Sequence, residues 1–543
     1  MTIKKLWSLK DKNILIVDDF PTMRSMLRTI LLNFGANNIM EARNGEDAID
    51  KMQDVAQEIV LCDYNLGEGK DGQQVLEEAK QRDLLPHSSI FLLTTAENTA
   101  DMVMGAFENL PDDYIIKPFA KAVLQMRIRK LEEKKDGLKA ISKAIARKEF
   151  QKALMLCDEK INENSKSYFE LQKIKGEILM KLSSYDEAKT VYNTVLEQRD
   201  IPWACKGLGL IHYHLAQYDE AKQVFSGLKE KNKNYLPAYD WLARVEDKLG
   251  NSLESQQLLM QAIKLSPKAI LRQKALAEIA FKNGDLDVSE QAYKYTVRHG
   301  KNSCFKHPSD YGGLAKVYLK KSVNKDAEKA INNMKKEFQN SSGEAQLQSV
   351  VIESVVFKDL GKIKESHAAL DKALDLFAAD PGSLSSSIAV ELAQACFDAD
   401  KNDQGKELIR HVVRNHHDDA NTLAQVQTLF DNQGMQAEGA EIINSTRSEV
   451  VAINNDGVEL VKQGKLQESI GLFTKAARAM PENIIVNLNA AQSFIIFMQQ
   501  SGVNEKIMLQ TQQYLDRVRA VDAGNSRYKK LMLCCQELSK KIA

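Results

Sequence analysis

Five polar residues lie at the ends of apolar runs, and their types and spacing could do chemistry: Asp18 and Asp19, Asp63, Thr95 and Lys117. Ile59-Val60-Leu61-Cys62 runs straight into Asp63, after which the chain turns polar and glycine-containing at Gly67, Gly69 and Gly72. Such a run reads as a buried parallel strand whose carboxyl end presents the aspartate to a crevice, where open α/β sheets bind their ligands. On Asp63 alone, a nucleophile, a metal ligand and a helix cap are all open. Three carboxylates in one small site cannot all stay ionised without a counter-charge. A hard divalent cation with oxygen ligands would supply it, and Mg²⁺ suits a site that handles phosphate. Lys117 adds a point charge able to hold a phosphoryl oxygen, and Thr95 adds a hydroxyl.

These residues need a scaffold that brings strand ends together. Asn13–Val17 is a first strand ending in Asp18-Asp19. Pro21 then opens a helix with Met23, Met26, Leu27, Ile30, Leu31 and Phe34 on one face, closed by Gly35. A second strand, Asn38–Ala42, leads through Asn44-Gly45 into a helix with Ala48, Ile49 and Met52 inward. After the Asp63 strand come a helix from about Gln73 to Arg82 and a fourth strand, Ile90–Thr94. A short helix follows, then the strand Tyr114–Ile116 with Lys117-Pro118-Phe119 behind it and a last helix from near Ala120. Five alternations of strand and helix argue for a parallel sheet covered on both faces. A doubly wound strand order would make Asp18, Asp19, Asp63 and Lys117 converge.

The set Asp18-Asp19, Asp63, Thr95-Ala96 and Lys117-Pro118-Phe119 resembles the receiver domain of bacterial response regulators across roughly residues 11 to 133. The resemblance implies a flavodoxin-like α/β fold in which Asp63 takes phosphate from a phosphohistidine on a sensor histidine kinase or phosphotransfer protein. It further implies Mg²⁺ bound directly by Asp19, largely through water by Asp18, and also by Asp63 and the backbone carbonyl of Asn65. Thr95 and the Ala96 backbone N–H would hold the phosphoryl group, and Tyr114 would move from an exposed to a buried rotamer. Asn65 and Glu97 would tune hydrolysis of the acyl phosphate. Two departures stand out. The loop after Asp63 reads Tyr-Asn-Leu-Gly-Glu-Gly-Lys-Asp-Gly, with glycine where proline is common, and Ala106 to Asp113 lacks the usual Ala-Gly-Ala run.

The chain has 543 residues, enough for three to four domain-sized units. Lys+Arg and Asp+Glu both number 74, so no overall basic field points to nucleic acid or to an anionic membrane surface. The seven cysteines are scattered, without zinc-ligand or disulfide-framework spacing, which suits a reducing compartment. The stretch from Met1 to Lys12 has no apolar core of signal-peptide length, and Phe494–Met498 is too short to cross a bilayer. A cytoplasmic protein without membrane insertion is expected.

Beyond about Asp136 the strands stop and a period of about 34 residues begins. A small residue is followed by a second small residue twelve positions on and a large one four beyond. Gly176, Ala188 and Tyr192 fit, as do Gly209, Ala221 and Phe225; Ala243, Ser255 and Leu259; Ala277, Ser289 and Tyr293; Ser354, Ser366 and Leu370; and Gly457, Ser469 and Phe473. Small residues let two antiparallel helices approach closely, and the large one fills the space between them. This pattern resembles tetratricopeptide repeats over residues 136 to 522, about nine or ten copies, degenerate from Asn421 to Arg447 and with an insertion near Gln499 to Lys506. The resemblance implies an all-α superhelical solenoid whose groove binds a protein partner, with the segment 523–543 as a capping helix. Asn455 and Asn489 are candidates to face a bound peptide. His212, His214 and His416-His417 have no partners at ligand spacing.

The domains read as a receiver (1–135), a repeat array (136–522) and a cap (523–543). Nothing after residue 136 pairs a nucleophile with a base or cradles phosphate, so a regulator without catalytic output is expected. Its receiver state would control what the repeats hold. A constitutive repeat scaffold whose receiver is a docking module or phosphate sink is the alternative.

Overall fold

The computed structural model describes residues 7–96, 111–163, 167–341, 343–380, 385–522 and 525–539. The chain packs as two units, Met1–Met180 with Ser184–Lys306, and Lys181–Ser183 with His307–Ala543.

The first unit opens with strands β1 (Asn13–Val17), β2 (Asn38–Ala42), β3 (Ile59–Asp63), β4 (Ile90–Thr95) and β5 (Asp113–Ile116), in the order β2-β1-β3-β4-β5 and all parallel. Alternation along the strands feeds two cores, because successive side chains point to opposite faces. Ile14, Ile16, Ile59, Leu61, Ile90 and Leu92 pack with Leu27 and Leu31 of helix α1 (Pro21–Asn33) and with Leu124 and Ile128 of the helix Lys121–Lys135. Leu15, Val17, Val60, Cys62, Phe91 and Leu93 pack on the other face with Ile49 and Met52 of α2 (Gly45–Asp54) and with Val75 and Leu76 of α3 (Gly72–Gln81). The doubly wound sheet expected from the sequence is present. On α1 the inward stripe is narrower than expected: Leu27, Leu31 and Phe34 are buried, whereas Met26 is 43% exposed. It sits about 100° around the helix from Leu27, off the face that meets the sheet.

Local chemistry fixes the helix starts that flank the crevice. The Asn44 side chain accepts from the Asp47 amide at 2.9 Å, and Asp71 and Gln74 form a reciprocal capping box at the start of α3. A Cβ on Gly72 would stand 2.2 Å from the Asp63 carbonyl oxygen, so α3 can begin this close to the end of β3 only with glycine there. The short helix expected before Tyr114 lies outside the described residues.

Helix Lys121–Lys135 passes through a 3₁₀ turn, Asp136–Leu138, directly into the helix Lys139–Ala146. Antiparallel helix pairs follow, and their contacts explain the 34-residue pattern. A Cβ on Gly209 would meet the Phe225 ring at 2.5 Å. At Ser289 the second small residue also ties the pair together, its hydroxyl donating to the Ala277 carbonyl twelve residues back at 2.8 Å.

In the second unit the same devices recur. Ser366 donates to Ser354 at 2.8 Å, Ser469 to Gly457 at 2.9 Å, and a Cβ on Gly457 would meet Phe473 at 2.3 Å. The degenerate region resolves into the helix Ala420–Asn432 and a 27-residue helix, Gln436–Lys462. Between Gly439 and Gly457 the sequence has neither glycine nor proline, so two repeat helices run together as one. The expected insertion is absorbed into two 18-residue helices, Ile484–Ser501 and Glu505–Asp522, joined at Gly502 with φ +90°. The helix Ser526–Ser539 lays Tyr528, Leu531, Met532 and Leu538 into the core that Phe494, Tyr514 and Leu515 form.

Candidate functional site

Strands β1 and β3 are neighbours with Val17 opposite Cys62, so the residues that follow them, Asp18 and Asp63, emerge side by side. Lys117 leaves β5 with its amide bonded to the Thr95 carbonyl at 2.6 Å, which aims its side chain across the strand ends. Its ammonium lies 2.9 Å from Asp18 Oδ2 and 3.0 Å from Asp63 Oδ2. The other oxygen of each acid takes a backbone amide, Asp18 Oδ1 from Phe20 and Asp63 Oδ1 from Tyr64, both at 2.9 Å. Arg24 secures the turn from below, its Nη1 donating to the carbonyls of Asp18 and Asp19 at 2.6 and 3.2 Å. Arg24 was not singled out from the sequence, where a basic residue one turn into a helix carries no distinctive signal.

Asp18, Asp19 and Asp63 each offer an oxygen within 4.8 Å of the others. Asp19 Oδ1 is buried and has no hydrogen-bond donor among the described residues. A buried carboxylate oxygen left without a donor is unfavourable, and an oxygen-seeking cation would satisfy it. The donor set, three clustered carboxylates, fits Mg²⁺. Burial pushes the Asp63 carboxyl above its ordinary value; the Lys117 ammonium pulls it back only in part, and the Asp18 charge adds to the rise. Burial works against the Lys117 charge, but the hydrogen bonds to Asp18 and Asp63 outweigh it and raise its pKa.

Of the other expected site residues, Thr95 is buried at the end of β4 and Ala96 is exposed beside it. Tyr114 on β5 is 39% exposed. Asn65 is exposed, its side chain accepting from the Gly67 amide at 3.3 Å. Glu97 lies outside the described residues. The expectation for Asn489 needs correction. Asn489 is 5% exposed; its Nδ2 donates to Asn454 Oδ1 at 3.0 Å and its Oδ1 accepts from Arg527. Arg527, on the last helix, closes over it, so Asn489 faces no open groove. Asn455 is exposed, one helical step away from the buried Asn454. His416 Nε2 pairs with Glu482 at 3.0 Å and His417 Nδ1 lies 3.0 Å from Asn483 Nδ2, so both rings have structural partners.

Proton and cation compete for the same oxygens. Millimolar Mg²⁺ at neutral pH is expected to raise the thermal midpoint of the sheet domain. The stabilisation grows by about 1.4 kcal/mol per tenfold of free Mg²⁺ above the dissociation constant. Asp19→Asn removes most of this shift, and lowering the pH into the raised range of Asp63 weakens it; scanning calorimetry with and without chelator reads both.

Residues 14–129 match the family model of the response regulator receiver domain, and residues 236–268 that of the tetratricopeptide repeat. Over 125 residues the chain is 33% identical to the chemotaxis protein CheY-3 of Vibrio cholerae, covering 23% of this chain and 95% of that protein. It is 32% identical over 124 residues to the chemotaxis protein CheY of Pseudomonas aeruginosa, covering 23% of this chain and 98% of that one. The solved structure of Vibrio cholerae CheY4 is 19% identical, covers 22% of this chain and 98% of its own, and gives a TM-score of 0.21. The chain belongs to the response-regulator receiver family, with a tetratricopeptide-repeat array behind the receiver. Among the described residues no helix is long and apolar enough to cross a membrane.

Proposed function

We propose that this protein is a phosphorelay response regulator in which Asp63 is the phosphoacceptor and the repeat array is the output. The observation that carries the reading is the convergence of Asp18, Asp19 and Asp63 around the Lys117 ammonium. An Asp63 carboxylate oxygen attacks the phosphorus of a phosphohistidine on a sensor histidine kinase or phosphotransfer protein. The P–N bond breaks as the P–O bond forms, and the imidazole leaves with a proton. Asp18, Asp19, Asp63 and the Asn65 carbonyl would hold Mg²⁺, which when bound neutralises charge on the phosphoryl oxygens. Lys117 exchanges its contact with Asp18 for one with a phosphoryl oxygen. Thr95 and the Ala96 amide take the remaining oxygens, and Tyr114 follows Thr95 inward. Asn65 and Glu97 set the lifetime of the acyl phosphate. Apart from this uptake and hydrolysis the chain catalyses nothing, and its output is a protein partner held by the repeats, with no nucleic acid involved.

The two receiver states need differ in partner affinity by only a few kcal/mol for phosphorylation to switch the output. Affinity capture with the full chain tests this. Wild type with Mg²⁺ and beryllofluoride is expected to retain a different partner set, or the same set at several-fold different yield, from Asp63→Ala. Equal retention under both conditions would support the constitutive scaffold with a docking or phosphate-sink receiver instead.

A further inference from the structure

In an open α/β sheet a covering helix shows its outer half to water. Helix α3 does not. Val75, Leu76 and Ala79 face the sheet, but Gln73 and Glu78, off that face, are buried as well. Glu77, on the side opposite the sheet, lines a cavity of about 780 Å³ with Trp241 and Arg244 of the repeat helix Leu236–Lys248 and with Leu271 and Lys274 of Ile270–Lys282. Repeat helices thus stand against the outer side of α3 around Glu77, within the first unit.

The loop between β3 and α3 is held too, at two points on either side of Asn65. Lys268 Nζ donates to the Tyr64 hydroxyl at 3.2 Å and lies 5.6 Å from the centre of its ring. Asn302 Nδ2 donates to the Gly69 carbonyl at 2.8 Å. The same ammonium acts on Asp71, the cap of α3. Tyr64 directly follows Asp63. The loop is held in an arrangement in which Lys117 spans Asp18 and Asp63. A phosphoryl group on Asp63 would stand beside Tyr64 and the start of this loop, and the contacts that hold the loop come from residues more than 200 positions away in the chain.

We propose that the repeats clamp the phosphoacceptor loop: Lys268 and Asn302 hold Tyr64 to Gly72 in the resting arrangement, so phosphoryl uptake at Asp63 and release of this segment from the repeats are one coupled equilibrium. The proposal rests on the reading of Asp63 as phosphoacceptor. Coupling of this kind is reciprocal, so loosening the clamp tightens binding of a phosphoryl mimic by the same factor that the mimic loosens the clamp.

The test uses the full chain carrying Lys268→Ala, Asn302→Ala or both, substitutions of groups at the molecular surface or partly exposed. Two readouts are taken: affinity for beryllofluoride with Mg²⁺, and hydrogen exchange of residues 64–81 without the mimic. The expected result is roughly threefold tighter mimic binding for Lys268→Ala, roughly tenfold for the double variant, and faster exchange in both. Unchanged exchange overturns the clamp. Faster exchange with unchanged or weaker mimic affinity overturns the coupling. If wild type binds no beryllofluoride, the phosphoacceptor reading fails and takes the coupling with it, while the exchange readout still decides whether the contact holds the loop.

Discussion

An Asp63→Asn chain is expected to take up no phosphate from a phosphohistidine donor under conditions where wild type is expected to do so in a Mg²⁺-dependent way. The amide nearly matches the carboxylate in shape but is a far weaker nucleophile, and it contributes no charge to a cation site. Loss of uptake through unfolding is separated by the direction of the stability change. The folded pKa of Asp63 lies above its unfolded value because burial and Asp18 disfavour the ionised form. The contribution of Asp63 to wild-type stability therefore falls as pH rises from the ordinary carboxylate range through the raised value, then levels off. Asp63→Asn lacks this decline, so without Mg²⁺ at neutral pH it is at least as stable as wild type. Phosphate uptake by a folded Asp63→Asn variant would sink the assignment.

The second large effect is in the repeats. Tyr192→Ala is expected to destabilise the first unit by about 3–4 kcal/mol, as emptying a buried aromatic site generally does. The ring is buried between two glycines on flanking helices: a Cβ on Gly176 would stand 2.5 Å from it and one on Gly207 2.4 Å. Tyr192 thus fills the space between its own repeat pair and the next. Gly207→Val attacks the same contact from the opposite side and should cost about 1–3 kcal/mol by overpacking. Urea denaturation followed by far-ultraviolet circular dichroism reads both, and a Tyr192→Ala midpoint within error of wild type would contradict the packing.

The receiver site was legible because its chemistry restricts residue type at every position. Acids at two strand ends and a lysine past a third can be aligned without knowing the contacts between them, since strand ends converge once the sheet is doubly wound. Tetratricopeptide pairs were legible for a similar reason: Gly209 with Phe225, or Ser289 with Ala277, is a short-range constraint repeated along the chain. Contacts set by tertiary geometry were not. Lys268 and Tyr64 are 204 residues apart, and neither has a neighbour that betrays the other. Asn454 and Asn455 differ by one helical step, about 100°, which decides burial against exposure but leaves no trace in residue type. Met26 failed in the same way. The degenerate stretch looked irregular because repeat patterns are recognised by their breaks, and here the break is missing.

That missing break changes how the second half of the chain resists unfolding. Repeat arrays ordinarily behave as chains of semi-independent modules, each able to fray without its neighbours. The helix Gln436–Lys462 has no such option: at 1.5 Å per residue it is a single rod of about 40 Å, shared by the module before it and the module after it. Its backbone hydrogen bonds run through the junction, so melting one module opens the end of the other. Those two modules form one cooperative block inside an otherwise divisible array, and a partner bound on either would protect both.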